Sequence, residues 1–173
     1  MDRRAFITSA AGGVVGLAAI ATGGAAQAAT GGDSAATARK LAERFAATLS
    51  AHDIDAFAAL FAEDYQQHQT LVAVAPPPAT PVSAKQGAVR YFGARLKAFP
   101  DLAVTAYPVV ASKGWLAANF VYSGTQQGEY LGIAPTGRHV TFNSTDILRI
   151  RHGLFAEHWG AADINGLIQQ LKG

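Results

Sequence analysis

The chain has 173 residues, contains no cysteine, and carries 14 basic against 12 acidic residues. This length suits a single domain with its own hydrophobic core, and the lack of cysteine excludes disulfides and thiolate metal sites. A nearly balanced charge without basic runs also argues against a nucleic-acid-binding protein.

The first 28 residues have the parts of an export signal. Arg3-Arg4 precedes an uncharged stretch from Ala10 to Ala21, and Ala26-Gln27-Ala28 supplies a small-residue cleavage site. The paired arginines indicate the twin-arginine route, so we expect an exported protein, periplasmic or secreted, that meets the membrane only through this signal peptide. A membrane anchor is the alternative, but a span needs about 20 strongly apolar residues and this run is short and broken by glycine.

Residues 29–35 are small and mostly polar, and their composition predicts a disordered tail before a folded domain at 36–173. Residues 37–49 have apolar side chains at helical spacing and form the first predicted helix. Asp53 is a candidate N-cap for a second helix, Ile54–Ala62, and Ser83 for a third helix that ends near Phe99.

The loop between the second and third helices, residues 74–81, holds four of the seven prolines. Proline removes a backbone donor and fixes φ, so this segment is predicted to be irregular, and its apolar composition suggests that it lies against the domain.

Beyond residue 101 the apolar period changes from helical spacing to strict alternation. Four segments rich in β-branched and aromatic residues are predicted strands: 102–111, 115–124, 138–150 and 154–159. Asp163 is a candidate cap for a closing helix at 164–171. Helices followed by a meander of antiparallel strands predict an α+β domain with helices on one face of a curved sheet.

Four segments resemble, in order, motifs of the SnoaL-like polyketide cyclases, also called ester cyclases. They are Phe61–His68, the Phe99-Pro100-Asp101-Leu102 junction, Gly128–Arg138 and Asp146–Trp159. The resemblance implies the cone of the nuclear-transport-factor-2-like, or cystatin-like, superfamily, in which helices and a curved antiparallel sheet enclose a pocket. It also implies cofactor-free aldol ring closure, in which a base removes a proton next to a carbonyl.

The last hairpin decides which polar side chains share a face. A three-residue turn at 151–153 places Asp146 opposite His158 on one face of the sheet. A two-residue turn at His152-Gly153 would instead place Asp146 opposite Trp159 and send His158 to the other face. The first register is preferred because it keeps the charged neighbours off the apolar face.

Asp146 and His158 are the candidate catalytic residues, since a carboxylate and an imidazole on a concave apolar face can act as an acid–base unit. A buried pair that only ties two strands together is the alternative. The resemblance places the cyclases' acid–base carboxylate at Gly160 and a histidine at Asp146. Because this chain departs from that pattern, Asp146 and His158 would have to replace the missing group.

Six further residues are candidates for substrate binding, by their position near the mouth of the cone or beside Asp146. They are Tyr65, His68, Phe142, Ser144, Trp159 and Asp163. Packing is the alternative role for Tyr65 and Trp159, and helix capping for Asp163. No metal or cofactor is expected, because the chain lacks the helical histidine spacing, cysteine pairs and phosphate loops of familiar sites.

Three functions follow from these features. The first is an enzyme that performs aldol cyclisation, isomerisation or hydrolysis on a small hydrophobic carbonyl substrate. The second is an exported, non-catalytic binding protein for a small hydrophobic ligand, which the signal favours because aromatic-polyketide assembly is usually cytoplasmic. The third is an interaction domain, and a homodimer through the open sheet face is expected in any case.

Overall fold

The computed structural model describes residues 33–74 and 76–173. The elements run α1 (Ala35–Ser50), α2 (Ile54–Ala58), β1 (Phe61–Gln67), α3 (Ala84–Ala98), β2 (Ala103–Ser112), β3 (Trp115–Thr125), β4 (His139–Arg151), β5 (Leu154–Ala162) and α4 (Ile164–Lys172). The predicted signal peptide, residues 1–28, lies outside the described residues. Within the described residues, no helix is both long enough and apolar enough to span a membrane.

Ordered structure begins inside the stretch predicted as a tail. Ser34 caps α1 by accepting a hydrogen bond from the backbone N–H of Thr37. The carbonyl of Asp33 accepts the backbone N–H of Gly114 at 2.7 Å, which ties the start of α1 to the β2–β3 turn. Residues 29–32 of the predicted tail lie outside the described residues.

The five strands form one sheet in the order β1-β5-β4-β3-β2. Strands β2 to β5 are the predicted antiparallel meander, with two-residue turns at Lys113-Gly114 and His152-Gly153. Strand β1 pairs with β5 in parallel, so the sheet is mixed. The α+β class with N-terminal helices and a curved, unclosed sheet is confirmed.

The second helix is shorter than predicted. It ends at Ala58, and Phe61–Gln67, whose first residues had been assigned to the helix, is strand β1. The buried residues Phe57, Phe61 and Tyr65 recur every four positions, which is also a helical spacing, so the local pattern is ambiguous. Backbone pairing with β5 decides the outcome, since the Phe155 N–H donates to the carbonyl of Leu60 at 2.9 Å.

The core lies between the inner face of the sheet and the helices. Along β4, the even-numbered residues from 140 to 150 are buried, while the odd-numbered ones point outward. Phe45 of α1 is the centre of an aromatic cluster with ring centroids 4.3–6.2 Å away: Phe57, Phe92, Phe120 and Phe155. This packing fixes α1 and α3 against the sheet and determines which strand residues face the interior.

The hairpin register differs from both predicted alternatives. Arg151 pairs with Leu154, and His152 and Gly153 have φ values of 53° and 74°, so the turn has two residues rather than three. The predicted pairing of Asp146 with His158 is therefore wrong.

A β-bulge keeps the two candidate residues on one face. The register shifts between Arg149 and Ile150, which inserts one extra residue into β5 and reverses the parity of the pairing beyond it. Asp146 consequently lies opposite Gly160, and Leu148 lies opposite His158. Asp146 and His158 are diagonal neighbours on the inner face, and no simple two-residue hairpin would place them so.

Candidate functional site

A cavity of about 240 Å³ lies on the inner face of the sheet and is lined by residues from β1, α3, β3, β4 and β5. This volume is below the roughly 300–1,000 Å³ of drug-sized sites, so the cavity suits a small ligand. Four buried polar atoms in its lining have no hydrogen-bond partner among the described residues: Gln67 Nε2, Gln69 Oε1, Tyr122 OH and His158 Nε2. Since buried polar groups are normally paired, these atoms indicate a site for polar groups of a ligand or for water.

Asp146 and His158 meet on the wall of this cavity. Asp146 Oδ1 lies 3.2 Å from His158 Nε2, and the two residues are only 2% and 9% exposed. The same carboxylate oxygen accepts a hydrogen bond of 2.6 Å from the Ser144 hydroxyl. Asp146 is thus fixed by a neighbour on its own strand and is in contact with the imidazole on the next strand.

Gln67 determines which nitrogen of the His158 imidazole carries the proton. Its Oε1 accepts the Tyr65 hydroxyl at 2.5 Å and lies 3.1 Å from His158 Nδ1. An amide oxygen can only accept, so with the amide in this orientation Nδ1 carries a proton. In a neutral imidazole, Nε2 is then an acceptor facing a carboxylate oxygen, and this contact is favourable only when one proton lies between them.

Gly160 leaves the space that the Asp146 carboxylate occupies. A β-carbon at position 160 would lie 2.2 Å from Asp146 Oδ1, 2.7 Å from His158 Nε2 and 3.1 Å from Gln69 Nε2. Distances below 3.0 Å essentially never occur for a β-carbon, so any side chain at 160 must displace the pair. The carboxylate at 146 and the glycine at 160 are therefore mutually dependent.

Two buried tyrosines, Tyr65 and Tyr122, lie near the Asp146–His158 pair and remain protonated. Burial, and then the Asp146 carboxylate, raises the pKa of Tyr65 above its ordinary value. Burial also raises the pKa of Tyr122 well above its ordinary value; the Arg95 guanidinium opposes this rise and Asp146 adds to it. The Tyr122 hydroxyl is therefore a neutral donor that lines the cavity, and it has no partner in the part of the chain that the structure describes.

The structure brings only part of the predicted binding set to the cavity. Ser144 lines it beside Asp146. Tyr65 is buried and approaches the cavity through its hydrogen bond to Gln67. Phe142 is not a lining residue; it stacks on Tyr122, with ring centroids 5.1 Å apart, and supports the wall.

Three predicted binding residues lie elsewhere. Trp159 points to the outer face of the sheet, where the His68 ring stacks on it with centroids 4.1 Å apart. His68 Nε2 also contacts the Glu157 carboxylate at 2.8 Å, on the same outer face. Asp163 is exposed and caps α4 by accepting the Gly166 N–H at 2.9 Å, so its role is the capping alternative.

Arg95 is the main polar residue of the cavity that the sequence analysis missed. It lies in α3, is 1% exposed, and lines the cavity. The stripe of buried residues in α3 passes through positions 88, 91, 92 and 95, an i, i+3, i+4, i+7 pattern. The sequence signal was thus an arginine on the apolar face of an amphipathic helix. Among the described residues, no group of three or more His, Asp or Glu side chains is placed to hold a metal ion.

The sequence matches the SnoaL-like polyketide cyclase family over residues 39–171. This chain belongs to that family. Comparison with curated proteins finds no match.

Solved structures of similar fold include proteins from three Streptomyces species. TsrD from Streptomyces laurentii is 29% identical, with a TM-score of 0.66 over 79% of this chain and 95% of that one. AclR from Streptomyces galilaeus, a proposed hydroxylase, is 25% identical, with a TM-score of 0.67 over 80% and 87%. IdmH from Streptomyces antibioticus, a proposed polyketide cyclase, is 26% identical, with a TM-score of 0.65 over 78% and 98%. This SnoaL-like chain therefore spans almost the whole length of these proteins.

Proposed function

We propose that this SnoaL-like protein is a cofactor-free acid–base enzyme acting next to a carbonyl group in a small hydrophobic substrate. The observation that carries the proposal is the contact of Asp146 Oδ1 with His158 Nε2 on the wall of a small cavity. A pair with only a structural role needs no unpaired polar atoms around it, whereas three further atoms of the cavity lining, Gln67 Nε2, Gln69 Oε1 and Tyr122 OH, have no hydrogen-bond partner among the described residues.

In the proposed reaction, the Asp146–His158 pair removes a proton from the carbon next to the carbonyl. The electron pair of that C–H bond moves to the carbonyl oxygen, and the free Tyr122 hydroxyl donates a hydrogen bond to the developing enolate. The enolate carbon then attacks a second carbonyl carbon, forming the new C–C bond of an aldol ring closure, while the pair returns its proton to the resulting alkoxide. Return of the proton to a different carbon would give isomerisation instead.

Exchange of α-protons in D₂O tests this proposal without knowledge of the native substrate. We would follow 2-tetralone, a two-ring enolisable ketone, by proton NMR with the wild type, Asp146→Asn and Glu157→Gln. Loss of a general base lowers rates by about 10²–10⁴-fold, so we expect exchange above the buffer rate in the wild type and a loss of that order in Asp146→Asn.

Glu157→Gln is the matched control, because it makes the same carboxylate-to-amide change outside the cavity. Glu157 lies on the outer face of the sheet, where it contacts His68. The variant should exchange at the wild-type rate. An Asp146→Asn variant that is folded by circular dichroism and exchanges as fast as the wild type would remove Asp146 from the mechanism.

A second candidate is an exported carrier that binds a hydrophobic ligand without converting it. The Arg3-Arg4 pair and the Ala26-Gln27-Ala28 segment favour it, since they have the pattern of a twin-arginine signal cleaved near residue 28. Native mass spectrometry of the protein from an exporting host would give both the mature N-terminus and any retained ligand. An intact ligand favours the carrier, whereas a converted product contradicts it.

A further inference from the structure

Arg95 places a positive charge in the cavity that no acidic side chain among the described residues neutralises. Arg95 is 1% exposed, and no Asp or Glu carboxylate of the described residues lies within 4.0 Å of its guanidinium, the distance that defines an ion pair. Its side chain donates hydrogen bonds to two neutral oxygens, from Nε to Tyr130 OH at 2.9 Å and from Nη2 to Tyr91 OH at 2.8 Å. Arginine stays protonated in proteins, so this is a buried cation.

Aromatic rings surround the guanidinium but do not cancel its charge. The Arg95 Cζ lies 4.5–5.1 Å from four ring centroids: Tyr122, Tyr91, Phe92 and Phe142. Cation–π contacts stabilise the charge, but a neutral ring supplies no counter-ion, and a buried ion is normally paired with one. A buried cation without an anion is therefore expected only where a ligand supplies the anion or where the charge has a function.

The guanidinium also has donors left for a ligand. Within the described residues no hydrogen bond is formed by Nη1, and Arg95 lines the same cavity as the unpaired Tyr122 hydroxyl. Asp146 does not serve as the counter-ion, because its Oδ1 contacts Ser144 and His158 instead. The unpaired N–H groups of a planar guanidinium suit a carboxylate or an enolate oxygen.

We propose that Arg95 is an anion-binding residue, and that the cavity takes a small, mainly aromatic or aliphatic molecule bearing a carboxylate or an enolate oxygen. The proposal deepens the proposed function, in that it places the anionic group of the substrate at Arg95 and the reacting carbon near Asp146. The residue that selects the substrate's charge then lies in α3, whereas the acid–base pair lies in β4 and β5.

Binding of two matched probes tests the proposal without requiring turnover. The probes are 2-naphthoate and its neutral isostere 2-naphthamide, and their dissociation constants would be measured by calorimetry at pH 7 with wild type, Arg95→Met and Arg90→Met. We expect the wild type to bind the acid at least about tenfold more tightly than the amide, and Arg95→Met to lose that preference while keeping its affinity for the amide. Arg90→Met is the control on the same helix, where Arg90 donates to the carbonyl of Pro76 outside this network, and it should keep the preference.

The wild-type comparison remains decisive even where Arg95→Met fails to fold. Equal affinity of the wild type for acid and amide, or no binding of the acid at about 1 mM, overturns the proposal, as does an acid preference that survives in a folded Arg95→Met. Asp146→Asn separates the two proposals, because it should retain the acid preference. A wild type that prefers the acid but catalyses no α-proton exchange would refute the proposed enzyme activity and leave the anion site standing. A wild type that catalyses exchange without preferring the acid would refute the anion site and leave the enzyme activity standing.

Discussion

Substituting Gly160 by alanine tests whether the Asp146 carboxylate is held as the structure describes. The new β-carbon would lie 2.2 Å from Asp146 Oδ1 and 2.7 Å from His158 Nε2. Both are well inside van der Waals contact, so Asp146 must give up its contacts with Ser144 and His158. Gly160 does not have a positive φ, so alanine introduces no backbone strain of its own.

The expected change in stability combines two opposing contributions. Losing a hydrogen bond to a charged group destabilises by about 1.5–3 kcal/mol, while replacing glycine by alanine within a strand stabilises by about 0.5–1 kcal/mol. The free energy of unfolding of Gly160→Ala should therefore fall by about 0.5–2.5 kcal/mol in urea denaturation. Its α-proton exchange should fall by about 10²-fold or more, because the acid–base pair is disrupted.

Gly87→Ala is the matched control for this experiment. A β-carbon at Gly87 in α3 meets nothing within 4 Å, so this variant should gain about 0.5–1 kcal/mol of stability and keep its activity. Wild-type exchange and stability in Gly160→Ala would refute the argument, since they would mean that Asp146 is free to lie elsewhere. The double variant Asp146→His with Gly160→Asp restores the order of groups that the cyclase resemblance implies, and should recover part of the exchange that Gly160→Ala loses.

Two further predictions concern Tyr122 and the outer face of the sheet. Tyr122→Phe removes a buried hydroxyl that has no partner within residues 33–74 and 76–173, so stability should be unchanged or higher. Its kcat should fall by about 10²–10³-fold if the hydroxyl stabilises the enolate. Because the pKa of Tyr122 is raised on folding, the wild type should lose stability as the pH rises above about 10, and this loss should be smaller in Tyr122→Phe. One row of paired residues crosses the outer face of the sheet: Val110, Ala117, Ile147 and Trp159. Val110 is 66% and Ile147 48% exposed, and we propose that this row is the homodimer interface. Ile147→Glu should then shift the protein to monomer in light scattering, and a wild type that is monomeric at all concentrations would contradict the interface.

The fold was predictable wherever one pattern had one interpretation. The alternation of apolar residues and the glycine turn at Lys113-Gly114 predicted the meander to within three residues of the observed strand ends. The Phe99–Leu102 junction has a polar role in this chain besides its hydrophobic contacts. Asp101 accepts both the backbone N–H and the hydroxyl of Thr125, at 2.6 and 2.7 Å, which fixes the end of β3 beside the start of β2.

Where two periods fitted the same residues, the local pattern was insufficient. Phe57, Phe61 and Tyr65 suit both a helix and a buried strand, and only the parallel pairing of β1 with β5 decides between them. That pairing is non-local, so neither β1 nor the position of Gln67 beside His158 could be predicted. The bulge in the last hairpin was also missed, because the extra residue lies in β5 and does not change the alternation of apolar residues along β4.

The candidate site combines groups that the chain brings together from distant segments, and their charges argue for a ligand rather than a purely structural role. A structural Asp–His pair would satisfy its hydrogen bonds and exclude other charges, because burying an unpaired ion is unfavourable. Here Gln67 Nε2, Gln69 Oε1 and Tyr122 OH have no hydrogen-bond partner among the described residues, and Arg95 adds to the same cavity a cation that none of their carboxylates neutralises. The pair carries no net charge when one proton lies between its members, so the cavity as a whole remains positive. An enolate formed in it would meet Arg95 and the Tyr122 hydroxyl, which supply the charge and the donor that stabilise such an oxyanion in a site with little water.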